Sequence, residues 1–169
     1  MASIYPGRFQ PFHLGHLKAI NYILNQEKEL IIVIENAMES FTVANPFTAG
    51  ERIDMIWNTL RDENIDLSKI LLVPIANIEN NALWVKYLKT LLPEFERCYS
   101  NNSLVKLLME EAGVLVQEIP FLKRDLYQGT AIRAKILNNE PWQELVPEYV
   151  YKMIIDKALD KRIKKVSEE

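Results

Sequence analysis

The chain has 169 residues and a mass of 19.7 kDa, the size of one ordinary domain with no room for two full cores. Hydrophobic residues make up 49% and charged residues 25%, the balance of a globular chain, and the net charge of -3 argues against a broad nucleic-acid-binding surface. Apolar runs such as Leu30–Ile34 are far too short to span a bilayer, and Met1–Pro6 lacks the regions of a signal peptide. The single cysteine, Cys98, excludes an internal disulfide framework and fits a reducing cytoplasm.

In chain order, Ala2–Tyr5 reads as a short strand and Gly7–Leu14 as an irregular loop. Leu17, Ile20, Ile23 and Leu24 then recur at helical spacing until Asn25. Glu29–Glu35 contains a continuous apolar run, expected of a parallel strand covered on both faces. Thr48-Ala49-Gly50-Glu51 has the form of a capping box and opens a helix with Ile53, Ile56, Trp57 and Leu60 on one face. Ile70–Ile75 is a third strand, shortened by Pro74. A helix over Leu83–Leu92 stops at Pro93, Arg97–Tyr99 makes a short strand, and a helix runs from a Ser103 cap to Gly113. Val114–Glu118 is the fifth strand. Thr130–Asn138 and Pro147–Leu159 are helices, and residues 161–169 form a solvated mixed-charge tail beyond a single domain of residues 1–160. Strands alternating with helices predict an α/β fold with a mainly parallel sheet, ligands sitting at the carboxyl ends of its strands.

The scarce residues point to one place. The only two histidines are His13 and His16, and two of only five glycines, Gly7 and Gly15, flank them. Glycine there permits close approach of backbone to a ligand. His16 falls at the start of a helix, where free N–H groups and the macrodipole favour an anion, and Arg8 adds a forked cation suited to phosphate. The two imidazoles donate hydrogen bonds to phosphoryl oxygens and share positive charge when protonated. Two surface residues or a cap would explain a lone His-x-x-His as well. Zinc is disfavoured for want of further ligands, and the Gly-Lys-Ser/Thr ending of a P-loop is missing.

Gly129-Thr130-Ala131-Ile132-Arg133 opens a late helix, with Thr130 as its cap and Arg133 one turn onward; it is a second phosphate site, or an ordinary capped surface helix. Asn81 and Trp84 follow the third strand. A tryptophan face suits a flat cationic ring and an asparagine suits a carboxamide, whereas the plain alternative makes Trp84 core, as Trp57 and Trp142 are expected to be.

The segment from Gly7 to His16, Gly-Arg-Phe-Gln-Pro-Phe-His-Leu-Gly-His, resembles the signature of the His-x-x-His nucleotidyltransferase superfamily. Three further segments, Asn45–Arg52, Asn81–Val85 and Tyr127–Arg133, extend the likeness to the archaeal-type nicotinamide-nucleotide adenylyltransferases. The resemblance implies a Rossmann-like sheet with helices on both faces and transfer of AMP from ATP to nicotinamide mononucleotide, giving NAD and pyrophosphate. It implies catalytic roles for His13, His16, Arg8 and Arg133; ATP contacts from Gly7, Phe9, Gln10, Gly15, Gly129, Thr130 and Arg133; and mononucleotide contacts from Asn81 and Trp84. It also implies magnesium arriving with ATP, no dedicated metal cage, and a cytoplasmic homo-oligomer without nucleic-acid or membrane partners. The chain departs from the pattern at Gln128, where the family usually has serine, at Asn77, where it has an acid, and at Phe41, where it has histidine. Arg52 reads as a helix-surface residue in preference to a long-range phosphate contact. Another phosphate acceptor, or a non-catalytic nucleotide sensor, remains open as an alternative.

Overall fold

The computed structural model describes residues 1–120 and 125–168; Glu169, the end of the expected tail, lies outside them. Five strands, β1 (Ala2–Gly7), β2 (Leu30–Ile34), β3 (Ile70–Pro74), β4 (Phe95–Tyr99) and β5 (Leu115–Gln117), form one sheet in the order β3-β2-β1-β4-β5. Every neighbouring pair is parallel. Pro74 closes β3, which tolerates a residue without an N–H because it is an edge strand.

Strand alternation divides the interior into two clusters. Leu30, Ile32 and Ile34 pack against α1 (Leu14–Leu24), α2 (Ala49–Asp62), α5 (Gly129–Leu137), α6 (Glu148–Asp156) and α7 (Leu159–Val166). Ile31 and Val33 face the other way, onto α3 (Trp84–Leu91) and α4 (Ser103–Glu111). Helices cover both faces, so β2 is apolar throughout, as a doubly covered strand must be.

Helix ends follow local chemistry. Thr48 and Glu51 close the expected capping box, Thr48 Oγ1 accepting from the Glu51 N–H at 3.1 Å and Glu51 Oε2 from the Thr48 N–H at 2.9 Å. Asn102, not Ser103, caps α4, its Oδ1 accepting from the N–H groups of Leu104 and Val105. Gly113 follows that helix at φ +75°, a conformation that favours glycine.

Three further expectations change. The stripe α2 buries is Arg52, Met55, Ile56, Thr59 and Leu60; Trp57 lies off it, 39% exposed, whereas Trp142 is core as expected. The helix expected over Pro147–Leu159 breaks at Ala158, which adopts φ +54°, and α7 follows where a solvated tail was expected. Its Leu159 and Ile163 are buried, because a helix with apolar residues one turn apart can close the gap beside α5 and α6.

Candidate functional site

A cleft of about 480 Å³ opens at the carboxyl end of β1. It brings together Arg8, Phe9, Gln10, His13, Gly15, His16, Gly129, Thr130 and Arg133, and two helix N-termini, those of α1 and α5, meet there.

The histidines form a reciprocal cap. His13 Nδ1 accepts from the His16 backbone N–H at 3.3 Å, and His16 Nδ1 accepts from the His13 N–H at 3.2 Å. The rings stack with centroids 3.5 Å apart, and Phe9 and Phe12 close around His16 at 4.7 and 5.6 Å. Burial pushes His13 down to about 3, and burial with the neighbouring His13 holds His16 well below the usual imidazole range. Both rings are therefore neutral near pH 7, which corrects the expectation of shared positive charge. With each Nδ1 an acceptor, each proton sits on Nε2, so each ring keeps one N–H to donate.

The glycines serve packing as much as approach. A Cβ on Gly7 would meet the Phe9 ring at 3.0 Å, and one on Gly15 would meet Tyr127 Cβ at 2.7 Å and His13 Cε1 at 2.9 Å. At Gly129 it would meet the Gln10 carbonyl oxygen at 2.9 Å. What approaches these glycines is the protein itself, and the two helix ends interlock as a result.

Several side chains hold the loop. Gln10 donates from Nε2 to the Phe47 carbonyl at 2.9 Å and accepts on Oε1 from the Phe47 N–H at 2.9 Å, so its amide is committed to the fold. Phe9 is fully buried against His16, a prop more than a ligand contact. Arg133 is buried and donates to the Gln10 carbonyl at 2.6 Å and to Thr130 Oγ1 at 3.4 Å, leaving further N–H groups for an anion. Thr130 lies inside α5 rather than capping it. Gln128 occupies the cap position without a side-chain bond, so the first N–H groups of the helix stay available.

Arg52 overturns the helix-surface expectation. It is fully buried and donates to four carbonyls, those of Arg8 at 2.8 Å, Glu35 at 2.6 Å, Asn36 at 3.0 Å and Thr48 at 3.2 Å. It braces the turns after β1 and β2 against α2. Its place on the buried stripe with Met55, Ile56, Thr59 and Leu60 was the signal in the sequence. Burial and the nearby Arg8 lower both Arg52 and Arg133 to about 10, so both stay cationic at neutral pH. Arg8 is exposed at the cleft, where its charge joins those of Arg133 and Lys18, while Arg52 stays behind the loop. Charges of one sign converging in a cleft make a receptor for a polyanion. Tyr127, the first residue of the Tyr127–Arg133 segment, also lines it, as do Lys18 and Asn102, which went unremarked in the sequence; Lys18 Nζ sits 4.6 Å from the centre of the Tyr127 ring.

Asn81 and Trp84 stand apart from this cleft, two strands away after β3. Asn81 is exposed, whereas Trp84 is 9% exposed and packed in the cluster under α3. Of the departures, Phe41 is exposed with the Arg162 guanidinium 4.1 Å over its ring, and Asn77 is exposed. Among the described residues no three His, Cys, Asp or Glu side chains come together as a metal site, and no helix is long and apolar enough to cross a membrane.

A parallel sheet with a polyanion cleft at the end of its first strand, built from His-x-x-His and two helix N-termini, defines a nucleotidyltransferase. The cytidylyltransferase-like family model matches residues 4–135, and the chain belongs to that family. Within it the chain belongs to the nicotinamide-nucleotide adenylyltransferases. The enzyme of that name from Saccharolobus solfataricus is 46% identical over 97% of this chain and 95% of its own, and that from Ignicoccus hospitalis 43% identical over 99% and 98%. The fold is similar to that of a bifunctional NMN adenylyltransferase/ADP ribose pyrophosphatase from Francisella tularensis, with a TM-score of 0.83 at 21% identity over 97% of this chain and 52% of that one. A second structure of that protein was determined with AMP and a manganese ion.

Proposed function

We propose that the protein joins ATP and nicotinamide mononucleotide (NMN) into NAD, releasing pyrophosphate, with the cleft at β1 holding the reacting phosphates. The observation that carries this reading is the meeting of two anion-binding helix ends, two imidazole Nε2–H donors, Arg8 and Arg133 in one place.

An oxygen of the NMN phosphate attacks the α-phosphorus of ATP in line. The new O–P bond forms as the bond to the β-phosphate bridging oxygen breaks, and that electron pair leaves on pyrophosphate. The nucleophile is already ionised, so no side chain need take a proton, and catalysis is positioning plus stabilisation of charge. His13 and His16 donate from Nε2 to oxygens around the reacting phosphorus. They are neutral before ATP arrives and donate without losing a proton. Arg8 and Arg133 clamp the triphosphate, with the N–H groups of Gly129 and Thr130 beneath it. Gly7, Gly15, Phe9 and Gln10 act on ATP through the loop they hold in place.

The described residues offer no carboxylate set for a metal ion, so magnesium would come with ATP, held by phosphates and water, and would supply further neutralisation of phosphate charge. The nicotinamide lies beyond β3, its carboxamide against Asn81 and its ring against the edge of Trp84. By family resemblance the enzyme is a cytoplasmic homo-oligomer, which sedimentation of the purified protein tests. Incubation with ATP, magnesium and NMN tests the reaction: stoichiometric NAD and pyrophosphate are expected. No product with NMN, but turnover with another phosphate acceptor, would overturn it.

A further inference from the structure

We infer that Glu35 is a specificity-determining residue that binds the 2′ and 3′ hydroxyls of the mononucleotide ribose. This rests on the reading above, which places the base near β3 and the phosphate near β1. Glu35 follows β2 directly, and its N–H donates to the Gly7 carbonyl at 2.9 Å, extending the parallel ladder by one residue. Alternation along β2 sets Glu35 on the face of Ile31 and Val33, the face that carries Trp84. Burial raises the Cys98 thiol, a member of that same cluster, and the charge of Glu35 adds to the effect, which agrees with this placement.

In the sheet, β2 lies between β3 and β1. Neighbouring strands are about 4.8 Å apart, so a mononucleotide reaching from the end of β3 to the loop after β1 carries its ribose across the end of β2. The Glu35 carboxylate is half-buried, and among the described residues no hydrogen bond reaches it. Burial raises its carboxyl to about 6, opposed by Arg8. An ionised carboxylate only accepts, and a vicinal diol presents two O–H donors at matching separation. The same pairing recurs where an acidic residue ends the second strand of dinucleotide-binding folds. The arrangement discriminates as well: a phosphate on the 2′ oxygen would set its charge against Glu35, so a 2′-phosphorylated mononucleotide is rejected.

Titration calorimetry and steady-state kinetics on Glu35→Gln and Glu35→Ala, with NMN and its 2′-deoxy and 3′-deoxy analogues, test this. Glu35→Gln should raise Kd and KM for NMN about tenfold, as expected on losing a charged acceptor, and leave ATP affinity within about twofold. The wild type should bind each deoxy analogue about tenfold more weakly than NMN, and Glu35→Ala should bind all three alike. Unchanged NMN affinity in Glu35→Gln would overturn the inference, as would discrimination against the deoxy analogues persisting undiminished in both variants. Glu35→Gln is nearly isosteric and supplies the answer if Glu35→Ala fails to fold. A wild-type protein that makes no NAD would instead sink the parent reading, a result visible before any Glu35 variant is made.

Discussion

His13 and His16 each commit Nδ1 to the other's backbone N–H, so an imidazolium at either position would break the cap that starts α1. The two rings therefore link stability to pH. His13 lies near 3 in the fold against about 6.5 when exposed, and His16 is lowered in the same direction. Below about pH 6.5 the unfolded chain binds protons that the fold refuses, so stability is full above that pH and is lost as it falls toward 3. Glu35, raised to about 6, opposes this between about 6 and its ordinary value of 4.5, because there the fold holds the extra proton. The melting temperature of the nucleotide-free protein should fall on acidification below pH 6.5. The double variant His13→Asn/His16→Gln keeps a reciprocal cap without titrating rings, and its profile should be flatter; an identical profile would clear the histidines. Turnover gives the second test at this scale. His16→Ala should lower kcat on the order of a hundredfold with ATP affinity little changed, if its donor acts on the transition state. Arg133→Lys should weaken ATP binding and slow turnover, because a lysine supplies one point charge where the guanidinium holds the Gln10 carbonyl and keeps further N–H groups for the proposed anion.

At the scale of elements, the phosphate loop owes its shape to neighbours remote in sequence. Arg52 on α2 holds the Arg8 carbonyl, Arg133 on α5 holds the Gln10 carbonyl, and Phe47 holds the Gln10 amide. Arg52→Met removes donors from four carbonyls at once and should destabilise the protein by about 3 kcal/mol or more, read by denaturant unfolding. A loss below about 1 kcal/mol would show that the brace is dispensable. Helix α7 acts in the same way on the turn before α2. Arg162 pairs bidentately with Glu51 at 2.6 and 2.8 Å and donates to the Pro46 carbonyl at 3.2 Å, and the pair holds the Glu51 carboxyl below its ordinary range. Ile163→Ala should cost about 2–5 kcal/mol through the cavity it leaves, an outcome a solvated tail would not give.

Across the whole molecule, the strand order lays the proposed contacts along one edge: Asn81 and Trp84 beyond β3, the histidine loop beyond β1, and Asn102 and Ile119 beyond β4 and β5. Five strands spaced about 4.8 Å apart give an edge of about 19 Å, suited to an extended dinucleotide. Trp84 is where this layout is tested. Its burial gives Trp84→Ala an expected loss of about 3–5 kcal/mol in stability, whatever it does to substrate. Trp84→Phe keeps most of the packing. Weaker NMN binding in that variant, with ATP affinity unchanged, would place the ring beside nicotinamide, and unchanged NMN affinity would leave Trp84 to the core alone.

Features set by local chemistry are legible one segment at a time. Continuous apolar runs marked the strands, the Thr48–Glu51 pattern marked the start of α2, and the crowding of scarce His and Gly residues into positions 7–16 marked the phosphate loop. Motifs at four places along the chain were enough to indicate the family, because four segments in the same order are far more specific than one. Which face of each helix is buried, and what each donor faces, depends on the assembled fold. Arg52 reads as a surface residue until three backbone turns from β1, β2 and α2 are seen to converge on it. Gly15 and Gly129 read as giving room to a ligand alone, until Tyr127 and the Gln10 carbonyl are found where a Cβ would stand. Residues 161–169 read as a tail until Ile163 finds a place beside α5 and α6. The reason is common to all three: burial, and the partners it imposes, belongs to pairs of segments far apart in the chain, and one segment alone carries only half of that information.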